Sequence, residues 1–176
     1  MLEKIIGERI ILRKLTMSDA KDIYEYCKDR KVSQYTQHMP YPYKRKYAGE
    51  FIKICEKNWK QKTGYTYGIE YSGKIIGNVG ITIKPGKIAE MGYSLSREYW
   101  GQGFVTEAAK LLLKEGFKQL KLHKIYATHH PKNSASGKVM QKAGMKYEGL
   151  LREHSFAKGK YWDLAQYGIL RREFRG

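Results

Sequence analysis

Apolar and polar residues alternate along "ERIILRKLT" (8–16), which predicts a first strand. The spacing turns helical through "TMSDAKDIYEYCKD" (16–29), where Thr16 or Ser18 can cap the start. A loop follows, "SQYTQHMPYPYKRK", with two prolines and Tyr35, Tyr41 and Tyr43. A second helix over 47–62 then sets Phe51, Ile54, Cys55 and Trp59 on one face. Period-two stretches at 65–71 and 74–83 meet across Ser72-Gly73 and read as a hairpin. Beyond Pro85-Gly86, the strand "KIAEMGYSLS" places Met91, Tyr93 and Leu95 on one face and Glu90, Gly92 and Ser94 on the other. A helix is expected from near Thr106 to Leu120, with Ala108, Ala109, Leu112 and Leu113 on one side. "HKIYATHH" is the next strand, ended by Pro131. Asn133 or Ser134 can cap a short helix through Ala143, and Gly144 suits the left-handed position beyond it. "MKYEGLLREHSF" and "YWDLAQYGIL" flank the turn "AKGK" as a last pair of strands. This order predicts an α/β (α+β) fold, one mixed sheet with helices on its faces, in a single domain over 1–176.

The segment between strand and helix, "SLSREYWGQGFVTEAAKLLL" (94–113), carries two closely spaced glycines. A Walker loop would need Gly-Lys-Ser/Thr, which does not follow Gly101. The dinucleotide fingerprint would need a third glycine where Thr106 stands and an acid roughly 20 residues on, where the chain reads "QLKLHKI". What remains is a short turn in which the backbone N–H groups of Gly101, Gln102, Gly103, Phe104 and Val105 converge beside a helix start, with the Thr106 hydroxyl as a further donor. Such a turn suits a pyrophosphate.

Charge sharpens this. The 34 basic residues outnumber the 17 acidic ones for a formal charge of +17, shared between both halves of the chain, which favours anionic partners. Cys27 and Cys55 have no metal-ligand spacing, so no metal is expected and a reduced, cytoplasmic chain is. The N-terminus breaks its apolar residues with charge and no run approaches about 20 apolar residues, so neither a secretory segment nor a membrane span is expected.

"EYWGQGFVTEA" resembles the acyl-CoA pyrophosphate loop of the GCN5-related N-acetyltransferase (GNAT) superfamily, and "NSASGKVMQKAGMKYEG" resembles the Asn-capped helix that follows it there. With the join "HKIYATHHPKNSAS", the chain is most similar to the branch containing the ribosomal-protein (alanine/serine) N-terminal acetyltransferases. The resemblance implies a mostly antiparallel sheet flanked by helices on both faces. It also implies acetyl-CoA as acyl donor, laid along Met91 to Leu95 and the glycine turn, with contacts from Tyr93, Leu95, Trp100, Gly101, Gln102, Gly103, Phe104, Val105, Thr106, Asn133 and Ser136. The chain departs from the pattern at Glu98, preceded by Arg97, where a Gln or Arg commonly meets phosphate. It departs again at Met140, where many relatives carry an acidic tyrosine, and at Met145, which replaces a phenylalanine.

Moving an acetyl group from a thioester to an amine requires a deprotonated amine, a polarised carbonyl and a stabilised leaving thiolate. Glu90 is the expected base, directly or through a water, because alternation places it beside the cleft end of its strand; His129 and His130 are competitors, better read as structural. Ser136, one helical turn after Asn133, inherits the acid's place from Met140, by proton or hydrogen bond to sulfur. Glu107 reads as helix-dipole and packing support, and Asp163 as a candidate to orient the acceptor amine.

The acceptor is expected near "YTQHMPYPYKRK". Surplus positive charge disfavours polycations and suits a protein N-terminus set among anions, as on a ribosome; a small-molecule amine is the second acceptor. The resemblance leaves room for a homodimer. A non-catalytic nucleic-acid binder would also be basic and Tyr-rich, but the tyrosines fall within strands and no binding-module signature occurs, so no nucleic-acid specificity is expected.

Overall fold

A computed structural model describes residues 1–175. Eight strands form one sheet: β1 (Lys4–Ile6), β2 (Ile11–Arg13), β3 (Gly64–Tyr71), β4 (Lys74–Lys84), β5 (Ile88–Leu95), β6 (Lys124–His129), β7 (Lys146–Ala157) and β8 (Lys160–Leu170). Their spatial order is β1-β2-β3-β4-β5-β6-β8-β7. Neighbours run antiparallel except β5 and β6, the parallel pair that the long connection through a helix permits. The helices are α1 (Ala20–Cys27), α2 (Arg30–Ser33), α3 (Arg45–Gln61), α4 (Phe104–Gln119) and α5 (Ser134–Lys142). None of them is long and apolar enough to cross a membrane.

Two apolar clusters hold the layers. α1 and α3 bury Ile23, Tyr26, Ala48, Ile52 and Cys55 with Leu15 and Ile75. α4 buries Ala108, Ala109, Leu112 and Leu113 against Val79, Ile81, Met91 and Ile125. This is the face predicted for α4, although the helix begins at Phe104, two residues before the expected start.

Three details differ from the sequence reading. The expected first strand is shorter, β2 alone, and a further strand, β1, precedes it, folded back by the turn that Gly7 N–H closes on the Ile10 carbonyl, so that Lys4 lies opposite Arg13. The buried stripe of α3 is Ala48, Ile52 and Cys55, while Ile54 is 56% exposed. The small Ala48 side chain lets α3 approach its neighbours, and that docking chose between two adjacent apolar stripes of similar strength. Asn133 occupies the position before α5, but its side chain makes no capping hydrogen bond.

The start of α1 is fixed by an ion pair. Asp19, within the short turn before α1, accepts two bonds of 2.8 Å from the Arg13 guanidinium and one from the Thr16 N–H. Burial pushes the Asp19 carboxyl up, but the Arg13 and Thr16 bonds outweigh it and hold it below its usual value of 3.8. The group therefore stabilises the fold above that unfolded value, and the contribution is lost as pH falls through the lower folded value. Arg13→Met strands Asp19, whose side chain is only 7% exposed. We expect it to cost about 2–3 kcal/mol at pH 7, below the full figure for a buried pair because Arg13 is partly solvated. Denaturant melts at pH 7 and pH 3 check this: the gap between wild type and variant should narrow in acid, and equal stabilities at pH 7 would refute it.

Candidate active site

The parallel pair sets the site. β5 and β6 are in register only at Ile88, Ala89 and Glu90, opposite Lys124, Ile125 and Tyr126. Past Glu90 the two strands part, so Met91 to Leu95 have no strand partner on that side, and the gap opens toward the start of α4 and α5.

At one mouth of the gap lies the glycine turn. Gly101 and Gly103 have φ of +76° and +83°, left-handed values that glycine adopts without the strain other residues incur. The first α4 bond runs from the Glu107 N–H to the Gly103 carbonyl, so the preceding amides, Gly103 through Thr106, lie in the part of a helix that lacks internal acceptors. These donors, the positive end of the α4 dipole and the Thr106 side chain fit a polyphosphate. Phe104 and Val105 are buried, which leaves their side chains to the core; the Phe104 ring packs tilted against Tyr71 and edge-on to Tyr99. The Trp100 indole N–H donates to the Leu95 carbonyl at 2.9 Å, tying the turn to the end of β5, while its ring is 45% exposed. Gln102 spans the turn by donating to the Glu98 carbonyl at 3.0 Å. Arg97 is paired with Asp29 at 3.5 Å.

Across the gap, the Tyr93 hydroxyl lies 2.9 Å from both the carbonyl oxygen and the Oγ of Ser136, at the first turn of α5. A phenol has one proton to give, and the carbonyl can only accept. When Tyr93 donates to that carbonyl, the serine hydroxyl donates to Tyr93. Burial pushes the Tyr93 phenol well up, so it stays protonated. Sequence spacing put Ser136 here; nothing local pairs it with Tyr93, which is brought to it by the parting of β5 from β6. Met140 is buried in the core and leaves the position where the resemblance expects a tyrosine without a polar group.

Glu90 stands where the strands separate. Its side chain is 36% exposed, with the carboxylate paired with the Lys84 ammonium at 3.1 Å and receiving the Tyr126 O–H at 3.4 Å. Glu90 in turn pulls the Lys84 ammonium above its ordinary range. On the same face of β5, the Ser94 Oγ and the Tyr26 Oη of α1 each accept a bond of 2.8 Å from the Asn78 amide. Between them Gly92 is exposed, and no heavy atom lies within 4 Å of where its Cβ would stand. The result is a notch flanked by a carboxylate on one side and hydroxyls on the other. An amine can approach there.

The other candidates are held by neighbours of their own, although His129 Nε2 is buried without a hydrogen-bond partner among the described residues. His129 turns its Nδ1 to the His130 carbonyl at 2.9 Å and buries its ring under Gly137 of α5. The His130 ring accepts from the Lys132 N–H, stacks edge-on to Trp162 and sits beside Tyr35; burial, then Lys160 and Lys132, lower its basicity. Asp163 accepts the Glu153 N–H at 2.8 Å and so pins the irregularity of β7 between Leu151 and Ser155. The end of α2 and the loop after it close over this side: Lys158 Nζ donates to the Ser33 carbonyl at 2.6 Å, and Ser155 Oγ to Gln37 at 2.5 Å.

A sequence profile of the acetyltransferase (GNAT) domain matches residues 9–146. The uncharacterized N-acetyltransferase p20 of Bacillus licheniformis is 30% identical over 178 aligned positions, covering 99% of this chain and 100% of that one. Among solved structures, the GNAT-family acetyltransferase from Bacillus anthracis superposes with a TM-score of 0.85 at 29% identity, over 96% of this chain and 99% of that one. RimL, a ribosomal L7/L12 alpha-N-protein acetyltransferase solved with coenzyme A, has the same fold, with a TM-score of 0.85 at 18% identity over 94% of this chain and 96% of that one.

Proposed function

Because the chain belongs to the GNAT family of acetyltransferases, we propose that residues 1–176 act as one acetyl-CoA-dependent N-acetyltransferase domain whose acceptor is a primary amine, foremost the N-terminal amine of a protein. The observation that carries this reading is the left-handed glycine pair at the start of α4, set at the mouth of the gap between β5 and β6.

Bound acetyl-CoA supplies an activated acetyl group on a thioester sulfur. The amides ahead of Glu107 hold the pyrophosphate, and the unpaired side of β5 offers backbone donors along the gap. The acceptor enters over Gly92. Glu90, at the open end of the paired strands, takes the ammonium proton, directly or through a water, so that nitrogen can attack. The N–C bond forms as the C–S bond breaks, and the departing sulfur receives a hydrogen bond or proton from the Ser136 hydroxyl, whose proton is free for it when the Tyr93 O–H donates to Ser136 Oγ instead of to the carbonyl. Holding the two reactants in one ternary complex carries the larger part, worth ~7–11 kcal/mol in well-oriented systems.

The charge of +17 bears on the acceptor, because it repels polycationic amines and favours an amine presented among anions. RimL, whose name gives a ribosomal protein's α-amine as its acceptor, has this fold. The test follows thiol release from acetyl-CoA with three acceptor sets: peptides with free N-termini, the same peptides N-terminally blocked but carrying lysine, and polyamines. Turnover confined to the first set supports the proposal. Turnover with polyamines alone would move the acceptor to small molecules, and release with none would overturn the acceptor assignment.

A further inference from the structure

Arg9 lies in the turn between β1 and β2, 93 residues from Gln102, yet its guanidinium is built into the glycine turn. Nη1 donates to the Gln102 carbonyl at 2.9 Å and Nε donates to Glu107 Oε2 at 2.9 Å, while the Arg9 backbone N–H donates to the other carboxylate oxygen at 2.9 Å. The guanidinium carbon sits 4.6 Å over the Phe104 ring, and Nη2 is 3.4 Å from where a Gly103 Cβ would stand. Gly7 makes the approach possible, since a Cβ there would come within 2.8 Å of Glu107 Oε1.

Building on the acetyl-CoA reading above, we propose that Arg9 is the positioning residue of the pyrophosphate site. It has two tasks. By holding the Gln102 carbonyl it fixes the peptide plane that Gln102 shares with Gly103, and so aims the Gly103 N–H. By pairing with Glu107 it cancels a carboxylate in the first turn of α4, where an unpaired negative charge would repel a bound polyphosphate. Burial pushes the Glu107 carboxyl up, but the bonds from Arg9 outweigh it and hold the group below its usual value of 4.5. The cation is needed because the sequence supplies none at the usual place: Glu98 stands there, and Arg97 is turned to Asp29.

The second task separates this proposal from a purely structural brace. Arg9→Gln should raise the Kd for coenzyme A about tenfold, the scale of one charge-assisted hydrogen bond. At saturating acetyl-CoA, kcat should stay within about twofold. Turnover of acetyl-pantetheine, which lacks the pyrophosphate, should not change. Adding Glu107→Gln to Arg9→Gln should recover most of the lost affinity, and Arg9→Lys should recover part. An unchanged Kd in Arg9→Gln would overturn the proposal, as would equal losses with both donors or a double variant weaker than the single one. If the wild type itself fails to bind coenzyme A, the acetyl-CoA reading falls first; if it binds and Arg9→Gln binds equally, only the role of Arg9 falls.

Discussion

Replacing Glu90 by Gln is expected to lower kcat about 100-fold, the lower end of what a positioned proton acceptor contributes, with the Kd for acetyl-CoA within about twofold of wild type. The amide keeps the shape of the side chain and can still accept from Lys84 and Tyr126, but it cannot take a proton. Glu90 is the last β5 residue paired with β6, so a change of charge there leaves both the strand register and the glycine turn in place. Ser136→Ala should lower kcat about tenfold, because a serine hydroxyl is a weak acid whose contribution is close to one hydrogen bond to the departing sulfur. Pre-steady-state measurement of thiol release with a peptide acceptor reads both variants. Unchanged chemistry in Glu90→Gln would remove the carboxylate from the reaction, whatever happens at Ser136.

The glycine turn carries the second large effect. Gly101→Ala combined with Gly103→Ala asks two L-residues to hold φ of +76° and +83°, at a cost of roughly 1–2 kcal/mol each. The turn relieves that cost by relaxing, and the amides then no longer converge. Affinity for coenzyme A should fall on the order of 100-fold, while acetyl-pantetheine turnover is retained. Gly159→Ala is the matched control: it has a φ of +77° and open space around its Cβ, but it lies in the turn between β7 and β8. It should carry comparable strain and leave affinity alone. Equal binding by wild type and the double variant, measured by calorimetry, would show that the turn does not hold the donor.

These variants rest on features that are unequally visible in the chain. The glycine spacing, the faces of β5 and the apolar stripe of α4 can be read from a few consecutive residues, because period-two and period-3.6 patterns are properties of local backbone geometry. The stripe of α3 could not be fixed the same way: Phe51–Ile54–Cys55 and Ala48–Ile52–Cys55 are both apolar rows, and which one turns inward depends on what the helix meets. β1 and the turn at Gly7 lie ahead of the run that reads as a strand, where a few apolar positions broken by charge carry too short a pattern to assign. Arg9 gave no signal at all, since a basic residue in a charged N-terminal stretch is ordinary in a chain with 34 lysines and arginines.

By itself, the sequence determined that a strand, a glycine turn and a helix follow one another with donors bared at the join, and that Glu90 and Ser136 carry groups able to move a proton. Only the tertiary structure decided where those groups meet. The parting of β5 from β6 after Glu90, the bond from Tyr93 to Ser136 43 residues later, and the reach of Arg9 to Gln102 and Glu107 all join positions far apart in the chain. Such contacts are fixed by strand pairing and helix docking across the whole sheet, and residue spacing contains no term for them.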